Sequence, residues 1–179
     1  TGSGSAGDLM ISSGPGVAPE WSSISSITNY GQFFSTLNPT FVANTPTALQ
    51  LNNTDASTTN GISIVLSTRI TFSKTGKYKI SYSCNLNVGA SGNNHYMVLF
   101  LKKNGTTDVS NSTRRYLTTG NSYIIRQGGE SLVDVTAGDY FELMCAMTST
   151  NLSLVYVPAT VVAPIAPVEP STIVTVIQV

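Results

Sequence analysis

The residues that could carry catalysis are few and widely spaced in this chain of 179 residues. His95 is the only histidine, and it follows Asn93 and Asn94 at the start of a predicted strand, where a histidine usually has a surface role. Acid–base or nucleophilic catalysis needs a reactive group with an orienting partner, and the sequence contains no GxSxG, HExxH or P-loop motif to supply one. We therefore predict that the protein is not an enzyme and has neither catalytic residues nor a cofactor.

The residues that could bind a metal ion are equally sparse. Asp134 and Asp139 flank a predicted turn, and one turn offers too few oxygens for the roughly six to eight ligands that calcium takes. Cys84 and Cys145 show neither CxxC nor Cys–His spacing, and a disulfide between them would require neighbouring strands. We predict no metal site and favour two small, buried cysteine side chains over a disulfide.

Charged residues make up only 10% of the chain, against roughly 25% in an average soluble protein. The formal net charge is zero, and no lysine or arginine precedes Arg69, so the sequence gives no electrostatic basis for binding nucleic acid or an anionic membrane. Four basic residues could still meet across one hairpin, as a small patch for an acidic sugar or a partner. We favour instead edge-strand charges that block aggregation. These residues are Lys102, Lys103, Arg114 and Arg115.

From residue 30 onward, turn signals separate short segments that are rich in β-branched and aromatic residues. In the clearest segment, Lys77–Val88, apolar and polar residues alternate throughout, which is typical of a half-buried strand. Segments 122–126 and 131–135 flank Gly128-Gly129, where we expect a bulge or kink. We predict an all-β jelly-roll sandwich of about eight to ten antiparallel strands over residues 30–179.

The final segment, 171–179, is apolar on both faces, with Val174 and Val176 on one face and a set that includes Ile177 on the other. Such a strand is covered on both sides, on one by the domain's own second sheet and on the other by another element or subunit. We therefore expect this strand in a subunit interface and leave open which face meets the neighbour. The proline-rich loop that precedes it, residues 158–170, breaks the longest apolar stretch, so we predict no membrane insertion.

Residues 1–29 form a separate segment in which glycine and serine are too frequent to favour ordering by themselves. We predict an extended N-terminal arm, followed by the jelly-roll head over residues 30–179. Apolar residues in a flexible arm usually lie on another surface, although a simple linker is the alternative. The candidates for docking this arm are Leu9, Met10, Ile11 and Trp21.

The order of the turn motifs resembles that of one known family, the trimeric jelly-roll superfamily of tumour necrosis factor and the globular heads of the first complement component. The resemblance is carried by RITFSKTGKYKISYS (69–83), LFLKKNG (99–105), ESLVDVTAGDYFEL (130–143) and the apolar C-terminal strand. The family's Phe-Ser-Gly-Phe run near the end is absent, and the proline-rich loop is unusual for it. The resemblance implies a homotrimer with the last strand close to the threefold axis.

Two groups of residues are candidates for the trimer interface. Tyr140, Met144 and Ala146 lie opposite the predicted core face of a strand that, in the family, lies near the subunit contact. An exposed stripe of this kind would be adhesive, which suggests that a neighbour covers it. Val174 and Val176 on the last strand form the second group.

The arm also resembles a known pattern, because AGDLMISSGPGVAPEW (6–21) is similar to linker segments of bacteriophage tail fibres and other viral surface proteins. Together the two resemblances imply a homotrimeric virion surface protein, either a fibre head or a capsid decoration protein of a tailed phage. Its arm would bind other virion proteins, and its far loops would meet a host surface glycan or protein.

Two other hypotheses stay open. A secreted or cell-surface lectin-like head of a collagen-like filament would follow a Gly-x-y repeat, which this chain does not contain. A glycan-active enzyme would need a cleft with paired carboxylates, and the sequence offers no such pair. Because the chain begins at Thr1, we expect a processed chain or a segment of a longer protein, whose upstream residues would discriminate between these hypotheses.

Overall fold

The computed structural model describes residues 3–23, 28–163 and 165–179, and this part of the chain folds almost entirely as strands, as predicted. The helical exception there is one short 3-10 turn, Ala56–Thr58. The strands are β1 (Asp8–Ile11), β2 (Glu20–Ser23), β3 (Tyr30–Ser35), β4 (Thr47–Ala48), β5 (Asn53–Thr54), β6 (Ile62–Val65), β7 (Arg69–Phe72), β8 (Gly76–Val88), β9 (Tyr96–Lys103), β10 (Thr107–Leu117), β11 (Tyr123–Val135), β12 (Tyr140–Met147), β13 (Leu152–Leu154) and β14 (Thr172–Gln178).

Twelve of these strands form two antiparallel sheets that pack face to face, which confirms the predicted sandwich. The first sheet has the order β10-β9-β12-β7-β6, with β4 beside β12. The second sheet has the order β11-β8-β14-β3-β5, with β13 beside β8. The final strand, β14, lies between β8 and β3, so ladder hydrogen bonds hold it on both edges.

The core lies between the sheets and contains the alternate residues that the sequence pattern predicts. On β8, the inward residues from Tyr78 to Val88 are buried, and they face buried residues of β9 and β12 that include Leu99, Leu101 and Phe141. Burial of such side chains contributes about 1.5–3 kcal/mol each to the free energy of unfolding.

The turn between β9 and β10 forms at Asn104-Gly105, as the sequence indicates. Both residues have positive φ angles, 51° and 69°, which is the requirement of the tight hairpin turn that this pair favours. The Asn104 side chain also donates to Asp139 (2.8 Å) and accepts the backbone N–H of Tyr140 (2.9 Å). This hairpin is therefore fixed to the start of β12.

The expected break at Gly128-Gly129 is wrong, because β11 is one continuous strand that pairs with β8 from Tyr123 to Val135. Gly128 instead allows the backbones of β11 and β8 to approach each other closely. A Cβ on Gly128 would collide with the Tyr82 carbonyl oxygen and lie 2.9 Å from the Cα of Ser83. The paired strands are therefore too close at this point for any side chain at position 128.

The described part of the arm is not simply extended. Strands β1 and β2 pair antiparallel in a two-stranded sheet, with Met10 opposite Trp21. At the other end of the arm, Asn29 already belongs to the head: it is buried, and its side chain donates to Tyr78 Oη (3.1 Å). The backbone N–H of Asn29 also donates to Gln178 Oε1 (3.0 Å), which joins the start of the head to its last strand.

Candidate interaction surfaces

The carboxylates that could have formed a metal site are engaged with basic and amide groups. Asp134 lies 2.7 Å from Lys77 Nζ, and Asp139 lies 2.7 Å from Lys103 Nζ. Burial disfavours the charged carboxylate of Asp139, but hydrogen bonds from Asn104 and Lys103 outweigh it and lower its pKa to about 2. In the described part of the chain, no three His, Cys, Asp or Glu side chains are grouped so that they could hold a metal ion.

The two cysteines are free thiols that are buried in the core. Burial raises the pKa of Cys84 to about 12, against the partial opposition of a hydrogen bond with Thr172. Burial also raises the pKa of Cys145 well above its ordinary value. A buried thiol that stays protonated is a poor nucleophile, so both side chains act as small core residues.

The four basic residues considered as a patch are held by separate partners. Lys102 pairs with Asp108 (2.9 Å), Lys103 pairs with an aspartate at the start of β12, and Arg115 lies 5.5 Å from the centre of the Tyr96 ring. Arg114 donates to backbone carbonyl oxygens, including that of Glu130 (2.8 Å). The fold therefore does not combine these residues into one anion site.

The outer face of the second sheet carries an apolar row that crosses four strands. Leu132 on β11 is opposite Lys79 on β8, which is opposite Ile177 on β14, which is opposite Tyr30 on β3. The exposed fractions of Leu132, Ile177 and Tyr30 are 63%, 45% and 40%. Lys79, the polar member, lies 2.6 Å from the Glu130 carboxylate, so its charge is paired.

A groove of about 500 Å³ adjoins this row on the same sheet. Its walls are the start of β3, the outer face of β14 and the 3-10 turn, and its lining includes Tyr30, Gln32, Thr58, Thr175 and Ile177. Tyr30 and Ile177 belong to both the row and the groove, so the two form one continuous surface. The residues that line the groove are all uncharged, so an uncharged partner could cover it. We call the row and the groove together the β14 surface.

The structure separates the two predicted groups of interface residues. Val174 and Val176 have exposed fractions of 0% and point into their own core, so the face of β14 that reaches the surface is the other one. Tyr140, Met144 and Ala146 lie on the outer face of the first sheet. These two groups therefore do not share a surface, and their role in a trimer stays a prediction.

The contacts of Tyr140 and Met144 show how their group is shielded from solvent. The Arg69 guanidinium lies 4.5 Å from the centre of the Tyr140 ring, and Met144 is buried among its neighbours in the first sheet.

Leu132 and Tyr30 were not among the residues predicted from the sequence. Leu132 could have been identified from the alternation of apolar and polar residues, because it interrupts the polar face of ESLVDV (130–135).

The apolar residues predicted to dock the arm are exposed on the β1–β2 hairpin. In a strand, neighbouring side chains point to opposite faces, so Leu9 and Ile11 lie on one face while Met10 and Trp21 lie on the other. The Trp21 ring covers Gly4, where a Cβ would lie 2.5 Å from the indole. A two-stranded hairpin is marginally stable alone, and two apolar faces make it a candidate for binding another surface.

The proline-rich loop folds back on itself as a narrow hairpin. The backbone N–H of Val157 donates to Glu169 O (2.9 Å), and that of Thr160 donates to Ala166 O (3.0 Å). Its end carries Val161, Val162 and Ile165, whose exposed fractions are 87%, 76% and 79%. In the described part of the chain, helical structure is limited to the three-residue 3-10 turn, which could not span a membrane.

Comparison with known proteins identifies the fold class. No family model and no curated protein matches the chain. Among solved structures, it is similar to the globular domain of zebrafish complement 1qA protein, with a TM-score of 0.56 and 10% sequence identity over 85% of this chain and 97% of that one. The head is thus a complement-type jelly roll, which confirms the predicted fold.

Proposed function

We propose that this chain is a non-enzymatic head that assembles as a homotrimer through the β14 surface. The observation that carries the proposal is the apolar row of Leu132, Ile177 and Tyr30, which lies around the central last strand of a complement-type jelly roll. Apolar side chains aligned across several strands are stabilised when another subunit covers them. The paired charges of Lys79 and Glu130 permit this contact because neither leaves an uncompensated ion at the interface.

The test is the mass of the purified protein in solution, measured by sedimentation velocity for the full chain and for Ile177→Asp. We expect three subunits for the wild type and one for Ile177→Asp, with a folded β-sheet circular dichroism spectrum in both cases. An aspartate at position 177 would add a second carboxylate beside Lys79, whose charge Glu130 already balances, so covering this surface would desolvate an excess negative charge at a cost of several kcal/mol.

The matched control is Val65→Asp on β6 of the first sheet, where the exposed fraction is 44% against 45% for Ile177. This variant should remain trimeric. A folded monomer for the wild type would overturn the proposal. Loss of the trimer in Val65→Asp but not in Ile177→Asp would instead assign the contact to the first sheet, the side that carries Tyr140, Met144 and Ala146.

We place this head on the surface of a virion, as a fibre head or capsid decoration protein, with the arm as its attachment to other virion proteins. The supporting features are the similarity of residues 6–21 to viral fibre linkers and the exposed apolar faces of the β1–β2 hairpin. Because Asn29 is part of the head, the informative truncation removes residues 1–27. It should keep the oligomer and lose attachment to particles prepared without the protein. Truncated protein that still decorates those particles would contradict the placement.

A second candidate is a lectin-like head at the end of a filament, which the similarity to a complement globular domain favours. It differs from the first in its ligand, a glycan bound by the head alone. Titration of the residue 28–179 head with purified cell-surface glycans distinguishes the two, because the attachment function needs the arm and the lectin function does not.

A further inference from the structure

Two edge strands lie beside each other along one margin of the sandwich, which we call the seam. β10 is an edge strand of the first sheet, and β11 is an edge strand of the second. The backbone groups of an edge strand are a template on which another chain can add a strand, so native proteins protect such edges. The edge of β11 needs this protection, because the strand pairs with β8 without a break from Tyr123 to Val135.

Carbonyl oxygens on the outer edge of β11 accept hydrogen bonds from side chains of the first sheet. The pairs are Arg114 Nη2 with Glu130 O (2.8 Å), Tyr116 Oη with Gly128 O, and Lys103 Nζ with Asp134 O (3.0 Å). The acceptors are even numbers of residues apart, so their carbonyl groups point to the same edge of the strand. Donors that belong to the other sheet therefore occupy this edge.

Arg114 contributes most to this closure, because its guanidinium joins the two edge strands. On β10, Nη1 donates to Asn111 O (3.2 Å) and to Thr113 O (2.9 Å). On β11, Nη2 donates to the carbonyl oxygen of Glu130. A guanidinium has five N–H donors in a planar fork, so it can hold carbonyl groups of two strands at once. We call these three hydrogen bonds the clamp.

A bulge in β10 presents the carbonyl groups that the clamp holds. The register between β10 and β9 shifts between Val109 and Arg114, so the intervening residues leave the regular ladder. The buried Ser112 hydroxyl holds the bulge in place: it accepts the backbone N–H of Leu101 (2.8 Å) and donates to Val109 O (2.6 Å). The Ser112 carbonyl oxygen accepts the Tyr82 hydroxyl of the second sheet, which is a further link across the seam.

Gly129 provides the space in which the clamp lies. A Cβ at this position would be 2.7 Å from Cγ and 3.0 Å from Nε of Arg114. The absence of a side chain at position 129 therefore lets the arginine lie against β11 and reach the neighbouring carbonyl of Glu130. An arginine beside a bulge on one sheet and a glycine below it on the other are complementary features of one closure.

Positive charge alone does not explain this arrangement. Arg115 carries the same charge on the same strand, but its side chain points to the opposite face, where its guanidinium lies 5.5 Å from the centre of the Tyr96 ring. The two adjacent arginines therefore allow the effect of hydrogen bonding at the seam to be separated from the effect of charge.

We propose that the clamp is an edge lock: by occupying carbonyl oxygens of both edge strands, Arg114 prevents another copy of the chain from adding a strand at the seam. The lock does not depend on the proposed trimer. The mass at low protein concentration, which we call the base mass, reports on the trimer. Growth beyond the base mass reports on the lock.

The experiment is sedimentation velocity over a wide range of protein concentration, at a temperature where circular dichroism shows every variant to be folded. Arg114→Lys keeps the positive charge, but one ammonium group cannot replace the fork that joins the two strands. Association beyond the base mass should begin at a concentration roughly ten-fold lower than for the wild type, because the uncovered carbonyl groups can accept hydrogen bonds from another strand. The amide I infrared band of the larger species should show intermolecular β-strand pairing.

Three further variants complete the experiment. Gly129→Ala retains Arg114 but displaces it from the seam, so this variant should associate as Arg114→Lys does. Arg115→Ala is the charge control, and it should keep the wild-type behaviour although it removes a positive charge. Leu154→Ala is the stability control, because it leaves a cavity in the core with the seam intact, and it should also behave as the wild type does.

Each variant has an outcome that would overturn the lock. Arg114→Lys or Gly129→Ala protein that keeps the wild-type mass at every concentration would show that the clamp does not protect the edge. Equal association of Arg115→Ala would assign the protection to charge instead. Equal association of Leu154→Ala would assign the growth to partial unfolding of a destabilised head.

Discussion

Replacing Gly128 with alanine should destabilise the head far more than the same replacement at the adjacent Gly129. A Cβ at position 128 would collide with backbone atoms of β8, the carbonyl oxygen of Tyr82 and the Cα of Ser83. A Cβ at position 129 would instead meet side-chain atoms, 2.7 Å from Cγ of Arg114 and 3.1 Å from Oη of Tyr82, and the closer of these side chains is flexible and can rotate away. The two variants therefore share the chemical change and differ in whether the obstacle can move.

The expected magnitudes follow from these obstacles. Overpacking a structured site costs about 1–3 kcal/mol, and a backbone obstacle belongs at the upper end of that range. Alanine offsets roughly 0.5–1 kcal/mol by reducing the freedom of the unfolded chain. We expect a net loss of about 2–2.5 kcal/mol in the free energy of unfolding for Gly128→Ala. For Gly129→Ala we expect a loss within about 1 kcal/mol, mainly the hydrogen bond from Arg114 to the Glu130 carbonyl.

The assay is thermal unfolding followed by circular dichroism, at one protein concentration for all variants because assembly raises the apparent stability. For a chain of this size, about 2–4 °C of Tm corresponds to each kcal/mol, so Gly128→Ala should lower Tm by about 4–10 °C. Equal losses in the two variants, or a Gly128→Ala protein as stable as the wild type, would refute the close approach of β8 and β11.

Two further predictions concern ionisable groups. Cys84 and Cys145 should both resist a thiol reagent at pH 8 in the native protein and both react in denaturant. Fast labelling of either thiol in the native protein would contradict this prediction. Because burial raises the pKa of Cys84 to about 12, the stability that this thiol contributes should be complete below about pH 9 and be lost as pH rises towards 12. Asp139 has a lowered pKa of about 2, so its contribution should be present above about pH 4 and be lost as pH falls through 2. Asp139→Asn should remove the ion pair with Lys103, lower the free energy of unfolding by roughly 1 kcal/mol at pH 7 and weaken its dependence on pH in the acid range. If the free energy of unfolding of the variant falls with acid as steeply as that of the wild type, the prediction is wrong.

Local patterns predicted the parts of the fold that local physics determines. The alternation of Lys77–Val88 gave the position and the buried face of β8, because the period of a strand depends only on its own backbone. The turn at Asn104-Gly105 was equally predictable, since positive φ angles at both positions are a property of those two residue types.

The features that sequence analysis missed depend on distant partners. Gly128-Gly129 has the composition of a bulge, and only the closeness of Tyr82 and Ser83 on β8 shows that the glycines keep a continuous strand in register. The face of β14 was undetermined for a similar reason, because both faces are apolar. Pairing of Val174 with Tyr82 fixes the choice and buries the two valines that had been interface candidates.

The apolar row on the second sheet shows why an interaction surface is harder to predict than a core. Ile177 and Tyr30 are each the one large apolar residue exposed on their strand, and Leu132 is well separated along β11 from the exposed Ile124 and Ile125. Scattered exposed apolar residues of this kind are ordinary in soluble proteins. They become a surface only because the register of four strands aligns them beside Lys79, whose charge is paired. A stripe within one strand, such as the one that includes Tyr140 and Met144, is visible in sequence, yet here its members are shielded by Arg69 and by burial. In a jelly roll, where sheet neighbours are distant in sequence, candidate contacts have to be sought across strands, and the β14 surface is the one that this criterion selects.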